Sequence, residues 1–240
     1  MKEKDIGFLF DMDGFLFNTQ TSFHAKAESI VCSEHNVIVL PEEISKRFAG
    51  ISTKQVFTEL VPGCNPEELN SRKWDIMREM LETEQLELLS GIAFMCHTLH
   101  ARNMPFAIAS ASPRWWIEKC LSKQVSFSSS VFSAEYSPDA KTLGYYFNTR
   151  YVSAEECDKG KPAPDVFLKA KKLLEDETGP RSRWIVAGDG RSDVYAGIAA
   201  GMEVIYLAGD DSLFNAHTKV TSWRTSEMVV KQVLRLIEHV

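Results

Sequence analysis

The stretch Phe8-Leu9-Phe10-Asp11-Met12-Asp13-Gly14 decides the fold of this 240-residue chain. An apolar strand ends there on two carboxylates that are one residue apart, and a glycine follows. Asp11 and Asp13 can converge only where the strand has ended and the chain is turning. Gly14 permits such a turn because glycine adopts backbone conformations that are closed to other residues. We therefore place both carboxylates at the carboxyl end of a strand.

Short apolar runs alternate with helical stretches in the second half of the chain, and each run ends at small or polar residues. Together with the first strand, this alternation is typical of an α/β fold with a doubly wound parallel sheet. Helices are expected to cover both faces of the sheet, near 91–102, 113–123, 164–175 and 191–200. The strand-like runs are Ile6–Phe10, Pro105–Ala109, Arg183–Ala187 and Met202–Leu207.

Between the first strand and residue 90 the pattern changes to helices alone. We predict a core of residues 1–18 and 90–240, with a helical cap domain of residues 19–89 inserted after the first strand. An insert at that point is expected over the ligand crevice, where such modules commonly act as lids that exclude water. Residues 125–142 read as an irregular excursion, and no chemistry is assigned to them. The predicted cap helices cover 19–35, 41–48, 53–61 and 66–86.

The composition indicates a globular chain and argues against several classes of partner. With 44% hydrophobic residues the chain can bury a sizeable core. The net charge of −6, without a Lys/Arg cluster, argues against nucleic acid as a partner. No apolar run approaches the roughly 20 residues that span a bilayer, and the start, Met1-Lys2-Glu3-Lys4-Asp5, lacks a signal-peptide core. We expect a cytoplasmic protein without membrane contact, either a monomer or a homodimer.

The predicted position of Asp11 and Asp13 suits nucleophilic and acid–base chemistry. Ligands of open parallel sheets bind at the carboxyl edge of the strands. A carboxylate at that edge can attack phosphorus and form an aspartyl-phosphate, so Asp11 is the candidate nucleophile and Asp13 the candidate proton donor. The alternative is a surface Asp-x-Asp turn after an edge strand. The other strand ends favour the functional interpretation, because they supply complementary groups.

The run Ala109-Ser110-Ala111-Ser112 ends the second strand at a turn into a helix. The Ser110 hydroxyl and backbone N–H groups such as that of Ala111 are suited to hold phosphoryl oxygens. We place Ala111 and Gly14 among the substrate-binding residues. A serine after a strand can instead cap a helix, and Ser112 is placed to be that cap.

The run Lys159-Gly160-Lys161-Pro162-Ala163-Pro164-Asp165 places a lysine before a proline. The proline rules out an ordinary strand and can start a helix turn, so Lys161 is expected to be held in place. Its ammonium group could neutralise the carboxylate of Asp11 and a transferring phosphoryl group. A solvated surface lysine is the alternative.

A third strand end is found in the run Val186-Ala187-Gly188-Asp189-Gly190-Arg191-Ser192-Asp193. Asp189 follows the strand in a glycine turn, and a second carboxylate, Asp193, comes four residues later. Together with Asp11 and the backbone carbonyl of Asp13, these acids form an all-oxygen set typical of Mg²⁺, which also takes a substrate phosphate as a ligand. Without a cation the carboxylates would repel one another and a phosphate. Asp193 either serves the metal, directly or through another ligand, or is an acid of a first helical turn.

These four elements, in this order, resemble the haloacid dehalogenase superfamily of phosphotransferases, whose core is Rossmann-like, and the match covers nearly the whole chain. The helical cap is of the kind found in the phosphoglycolate phosphatase and β-phosphoglucomutase branch. The resemblance implies that Asp11 attacks phosphorus and that Asp13 protonates the leaving group and then activates water. It also implies that Ser110 and Lys161 hold the phosphoryl group and that Asp189 ligates Mg²⁺.

Departures from the family pattern bear on the branch. Relatives that cleave carbon–halogen bonds lack the second aspartate and the Mg²⁺-binding acids, both of which are present here. The β-phosphoglucomutase group usually has a histidine twelve residues beyond the nucleophile, where this chain has Phe23, and an arginine in a Gly-x-x-Arg turn, where it has Thr53. His24 and Lys54 each stand one residue further along. An α-helix rotates about 100° per residue, so the offsets argue against mutase activity.

The leading hypothesis is a Mg²⁺-dependent phosphatase that hydrolyses a small phosphorylated metabolite through a phospho-aspartyl intermediate. Candidate substrate-facing groups are Thr53 and Lys54, in the cap turn after Gly50, and Arg114, just after the serine turn. Each of them can equally be a surface residue. The alternatives are a phosphomutase and a protein that keeps the fold for binding or regulation without turnover.

Overall fold

The computed structural model describes residues 5–48, 51–126, 142–209, 211–214 and 216–238. Most of the predicted irregular excursion, 127–141, and Gly50 of the predicted cap turn lie outside the described residues. The contacts divide the chain into two compact units. The first unit is Met1–Phe17 with Glu87–Val240, and the second is Asn18–Leu86. The predicted domain boundaries, 18/19 and 89/90, differ from these by one and three residues.

A six-stranded parallel sheet forms the centre of the first unit. Its strands are Ile6–Phe10 (β1), Phe106–Ser110 (β3), Tyr151–Ser153 (β5), Arg183–Gly188 (β6), Glu203–Leu207 (β7) and Val220–Trp223 (β8). Two short strands, Leu86–Glu87 (β2) and Val125–Ser126 (β4), lie outside this sheet. The order of the strands in the sheet is β5-β3-β1-β6-β7-β8, and all neighbouring pairs are parallel. This topology confirms the predicted α/β fold.

Helices pack on the sheet of the first unit, and apart from Leu86 of β2 they form the regular structure of the second unit in its described residues. Those of the second unit are Lys26–Glu34 (α1), Pro41–Arg47 (α2), Thr53–Leu60 (α3) and Pro66–Thr83 (α4). Those of the first unit are Ile92–Ala101 (α5), Arg114–Ser122 (α6), Gly144–Phe147 (α7), Asp165–Thr178 (α8), Arg191–Ala199 (α9) and Ser226–Glu238 (α10). Among the described residues, no helix is long and apolar enough to cross a membrane.

The first strand is buried along its whole length because it lies between two neighbours. Phe10 pairs with Ile108 of β3 on one side and with Ala187 of β6 on the other. Leu9 packs in a cluster with Phe167 of α8 and with other buried residues of the sheet. This register brings the carboxyl ends of β1, β3 and β6 to the same edge of the sheet.

The second unit begins with a π-helical turn, Gln20–Ala25, which leads directly into α1. Within it the backbone N–H groups of Phe23 and His24 both donate to the carbonyl of Thr19, at 3.0 Å each. A π-helical turn holds about one residue more than an α-helical turn, because its hydrogen bonds join residues five apart. The angular position of His24 therefore differs from the one that a regular α-helix would give it.

Candidate active site

Asp11 lies directly after β1 and is buried at the carboxyl edge of the sheet. Its backbone N–H donates to the carbonyl of Ala187, 2.8 Å away, which extends the β1–β6 pairing by one residue. Its Oδ1 atom accepts a hydrogen bond from Nζ of Lys161 at 2.6 Å. The structure therefore brings together two residues that are 150 positions apart in the chain.

Lys161 is buried, with a side chain only 2% exposed, and it forms ion pairs with two carboxylates. Its ammonium group lies 2.6 Å from Oδ1 of Asp11 and 2.6 Å from Oδ1 of Asp193. Burial alone would lower the pKa of Lys161, but the charges of Asp11 and Asp193 outweigh it and raise that pKa. Lys161 therefore stays a cation and is not the solvated surface lysine of the alternative interpretation.

Three carboxylates, those of Asp11, Asp189 and Asp193, have oxygens within 4.8 Å of one another. Burial and the neighbouring charge of Asp193 raise the pKa of Asp11 to about 7, against the opposing effect of Lys161. Burial, followed by the charges of Asp11 and Asp193, raises the pKa of Asp189 well above its usual value. Three acids around one ammonium group leave an excess of negative charge, so this hard oxygen donor set fits a divalent cation.

The turn after β6 places Asp193 both at the start of a helix and in the acid cluster. Its Oδ2 atom accepts a hydrogen bond from the backbone N–H of Gly190, the N-cap residue of α9, at 2.9 Å. Its Oδ1 atom pairs with Lys161. One buried carboxylate thus starts the helix and belongs to the acid cluster.

Two features of the structure require glycine at position 14. Its φ of 83° lies in the left-handed region that favours glycine. A Cβ atom at this position would also lie 2.2 Å from Oδ2 of Asp189. The predicted turn after β1 is therefore packed directly against an acid of the cluster.

The carboxylate of Asp13 accepts hydrogen bonds at both oxygens. The Ser112 hydroxyl donates to Oδ2 at 2.6 Å, and the indole N–H of Trp116 donates to Oδ1 at 2.9 Å. The interpretation of Ser112 as a helix cap is wrong, because α6 is preceded by Pro113 and has no side-chain cap. Ser112 and Trp116 were not predicted as partners of Asp13. Ser112 lies in the turn before α6 and Trp116 in the first turn of that helix, and no motif marks either residue.

Ser110 is the last residue of β3 and is buried. Its hydroxyl oxygen accepts a hydrogen bond from the backbone N–H of Ser112 at 3.0 Å. The next residue, Ala111, is exposed at the turn. That Ser110 and Ala111 hold a phosphoryl group stays a prediction.

Arg114 opens α6, and acidic neighbours hold its guanidinium group. It forms ion pairs with Glu118, at 3.3 Å, and with Glu156, at 2.9 Å. It also lies over the ring of Tyr151, with 5.0 Å between the guanidinium carbon and the ring centroid. These contacts account for its position without a ligand, and its predicted contact with substrate stays a prediction.

The predicted cap residues Thr53 and Lys54 have different surroundings in the second unit. The Thr53 hydroxyl donates to Glu28 at 2.8 Å and accepts from Nζ of Lys73 at 2.9 Å. Lys54 is half exposed and forms an ion pair with Glu67 at 2.8 Å. A substrate contact by either residue stays a prediction.

A buried polar cluster of the second unit, which the sequence argument missed, contains Glu28, Thr53, Lys73 and His24. Nζ of Lys73 lies 2.9 Å from Nδ1 of His24 and 3.6 Å from Oε1 of Glu28. An ammonium group only donates hydrogen bonds, so Nδ1 of His24 accepts and the ring proton is on Nε2. We call these four residues the cap cluster.

Comparison with known proteins agrees with the fold. A family model, haloacid dehalogenase-like hydrolase, matches residues 7–201. The chain belongs to this family of hydrolases.

Two similar proteins are named phosphatases, and one solved structure has the same fold. The chain is 28% identical to hexitol phosphatase A of Escherichia coli, over 83% of this chain and 81% of that protein. It is also 28% identical to a probable pseudouridine-5′-phosphatase of Drosophila melanogaster, over 83% of this chain and 80% of that protein. The crystal structure of a family IA, variant 3 hydrolase from Entamoeba histolytica has the same fold, with a TM-score of 0.72, 22% identity and coverage of 97% and 99% of the two chains.

Proposed function

We propose that this protein is a Mg²⁺-dependent phosphatase that hydrolyses the phosphomonoester of a small metabolite through a phospho-aspartyl intermediate on Asp11. One observation carries the proposal. The buried Asp11 carboxylate is held by Lys161 at the edge of the sheet, with a second carboxylate, Asp13, two residues away. A nucleophile, a cation that neutralises it and an acid–base group are the parts that this two-step displacement needs.

In the first step the Asp11 carboxylate attacks phosphorus, and the ester P–O bond breaks. The leaving oxygen takes a proton from Asp13 and departs as an alcohol. Lys161 offsets the charge of the transferring phosphoryl group, as a point charge that is already in place. Ser110 and the backbone N–H of Ala111 hold the phosphoryl oxygens.

In the second step water attacks the phosphorus of the phospho-aspartyl group. Asp13, now a carboxylate, takes a proton from that water, and the acyl-phosphate bond breaks. Inorganic phosphate leaves and Asp11 is restored as a carboxylate. The sum of both steps is one phosphomonoester and one water converted to an alcohol and inorganic phosphate.

Asp11, Asp189 and Asp193, with the backbone carbonyl of Asp13, are the residues that would hold Mg²⁺. When bound, the ion supplies positive charge to the phosphoryl oxygens and relieves the repulsion among the carboxylates. The raised pKa values of Asp11 and Asp189 support this assignment, because they reflect negative charges that are buried close together.

The names of relatives support a small substrate. Those proteins are described as acting on a hexitol phosphate and a pseudouridine phosphate, each a compact phosphomonoester. We therefore expect this chain to hydrolyse a phosphate ester of a sugar, polyol or nucleoside.

A phosphomutase is the second candidate, because the π-helical turn removes one argument against it. That turn contains about one residue more than an α-helical turn, so the one-residue offset of His24 is not by itself an argument against equivalence with the histidine of the mutase group. A mutase would move phosphate between positions of one sugar, would need an activating bisphosphate and would release little inorganic phosphate.

The test is release of inorganic phosphate from p-nitrophenyl phosphate, glycerol 3-phosphate, hexitol phosphates, sugar phosphates and pseudouridine 5′-phosphate, with Mg²⁺ or with EDTA. We expect release by the native chain with Mg²⁺ only, and none by Asp11→Asn. Asp176→Asn is the matched control, since it removes a carboxylate charge at an exposed helix position. No release from any ester, or full release by Asp11→Asn, would contradict the proposal, and isomerisation of a sugar phosphate that depends on a bisphosphate would identify the mutase.

A further inference from the structure

The acid–base residue Asp13 is held by two side chains of different chemistry, Trp116 in the first turn of α6 and Ser112 in the turn before that helix. Trp116 is fully buried and Ser112 is nearly so, although Asp13 itself is only partly buried. The hydrogen bonds, 2.9 Å from the indole and 2.6 Å from the hydroxyl, fall on opposite oxygens of one carboxylate. Such a pair of contacts fixes the rotation of the carboxylate about its own axis.

The two partners differ in what they can accept. An indole N–H is a donor and cannot accept a hydrogen bond, whereas a serine hydroxyl both donates and accepts. Oδ1 of Asp13, opposite Trp116, must therefore remain an acceptor whenever this contact is kept. Oδ2, opposite Ser112, can be an acceptor when Asp13 is a carboxylate and a donor when it is an acid, because the Ser112 hydroxyl can rotate.

We propose that Trp116 is a positioning residue that assigns the proton-transferring role to Oδ2 of Asp13 by holding Oδ1 as a permanent acceptor. This inference rests on the proposed phosphatase function. Trp116 acts through Asp13 and need not touch substrate. Without the indole N–H the carboxylate keeps its contact with Ser112 but loses the one that fixes Oδ1. The proton is then delivered to the leaving oxygen from a less favourable position.

Proton delivery matters more for some leaving groups than for others. An alkoxide is a poor leaving group and needs a proton, whereas p-nitrophenolate leaves readily without one. General acid catalysis contributes about 10²-fold to 10⁴-fold when it is needed. A defect in the position of Asp13 should therefore slow formation of the phospho-aspartyl group from alkyl phosphates more than from aryl phosphates. The second step, in which Asp13 takes a proton from water, is the same for both esters, and kcat/KM does not depend on it.

The experiment compares kcat/KM of Trp116→Phe and the native chain on glycerol 3-phosphate, or the best alkyl ester of the panel, and on p-nitrophenyl phosphate. We expect kcat/KM on the alkyl ester to fall by at least about tenfold more than kcat/KM on the aryl ester, since part of the general acid contribution is lost. A change in the ratio of the two kcat/KM values is a result that a purely structural role would not produce.

The matched control is Trp184→Phe. Trp184 is also buried, and its indole N–H donates to a carboxylate, that of Glu175, at 3.3 Å. It lies near the amino end of β6, opposite the end that carries Asp189. This variant makes the same chemical change away from the candidate site, and it should leave the ratio of the two kcat/KM values as in the native chain.

A second variant removes the donor while keeping the shape of the side chain. Substitution of Trp116 by its benzothienyl analogue puts sulfur in place of the indole N–H and keeps the bicyclic ring, so it decides the question if Trp116→Phe fails to fold. Equal losses of kcat/KM on both esters, or no loss, in this variant would overturn the inference. Absence of phosphate release by the native chain from every ester would overturn the proposed function, and this inference with it.

Discussion

The two units each bury a lysine, and the surroundings of the two ammonium groups differ. In the first unit Lys161 lies 2.6 Å from each of two carboxylates, with a third, that of Asp189, in the same cluster. In the second unit Lys73, whose side chain is 1% exposed, lies 3.6 Å from Glu28 and 2.9 Å from two neutral acceptors, His24 and Thr53.

The two sites differ in charge balance. Around Lys161 the acids outnumber the base, which leaves negative charge that a bound divalent cation would neutralise. In the cap cluster the charges of Lys73 and Glu28 cancel, and hydroxyl and imidazole groups complete the hydrogen bonds. Such a pair holds helices in register, and breaking it is costly because one buried charge is left behind.

The largest expected effect is that of Lys73→Met on stability. The substitution leaves the Glu28 carboxylate buried without its counter-charge, so the free energy of unfolding should fall by about 3–5 kcal/mol. Urea denaturation followed by circular dichroism measures it. The double variant Lys73→Met, Glu28→Gln should recover part of the loss. A loss below about 1 kcal/mol, within the range of exposed ion pairs, would show that the pair of Lys73 and Glu28 does not stabilise the fold.

Lys161→Met should act mainly on turnover. Removal of a preorganised charge that faces the transferring group typically lowers kcat by about 10²-fold to 10³-fold, and we expect a decrease of that size. Steady-state rates of phosphate release in saturating Mg²⁺ measure it, with circular dichroism to verify the fold. Retention of native kcat would contradict the role that is assigned to Lys161.

Mg²⁺ should stabilise the first unit because it neutralises the acid cluster. A ligand at 100 times its dissociation constant raises the free energy of unfolding by about 2.7 kcal/mol, provided that it binds only the folded state. We expect a rise of this order in thermal or urea unfolding with Mg²⁺ compared with EDTA. The rise should vanish in Asp189→Asn and persist in Asp176→Asn. An equal rise in both variants would show that Mg²⁺ binds elsewhere.

The smallest effect is expected for Lys172→Met, which removes an exposed lysine. Its ion pair with Asp176 is on the surface of α8, with the two side chains 75% and 65% exposed. Exposed pairs of this spacing contribute about 0.3–0.5 kcal/mol, so unfolding should change by no more than that and kcat should not change. A loss of more than about 1 kcal/mol would mean that burial does not explain why Lys73 contributes more to stability than Lys172.

The sequence predicts those strands that are buried on both faces. The runs at β1, β3, β6 and β7 are continuous and apolar, because each has a strand on either side and helices above and below. The strands β5 and β8 lie at the two edges of the sheet, and neither was predicted. β5 has only three residues, and β8 contains the polar pair Thr221 and Ser222.

The same reasoning explains which residues of the candidate site can be predicted from the sequence and which cannot. Asp11, Asp189 and Asp193 are predictable because each stands in a motif at a strand end, and the parallel sheet brings those ends together. Trp116 and Lys73 belong to no motif, and their partners are 103 and 49 residues away in the chain. The angular position of His24 depends on a π-helical turn, which hydrophobic periodicity does not reveal.

The most direct test of the central claim is a search for a phosphoryl group on Asp11. The native chain is mixed with p-nitrophenyl phosphate and Mg²⁺, quenched in acid during turnover, digested and examined by mass spectrometry. The account predicts one phosphoryl group on the peptide that contains Asp11, and none when substrate is omitted or in Asp11→Asn. A phosphoryl group on another residue, or turnover without any labelled peptide, would contradict it.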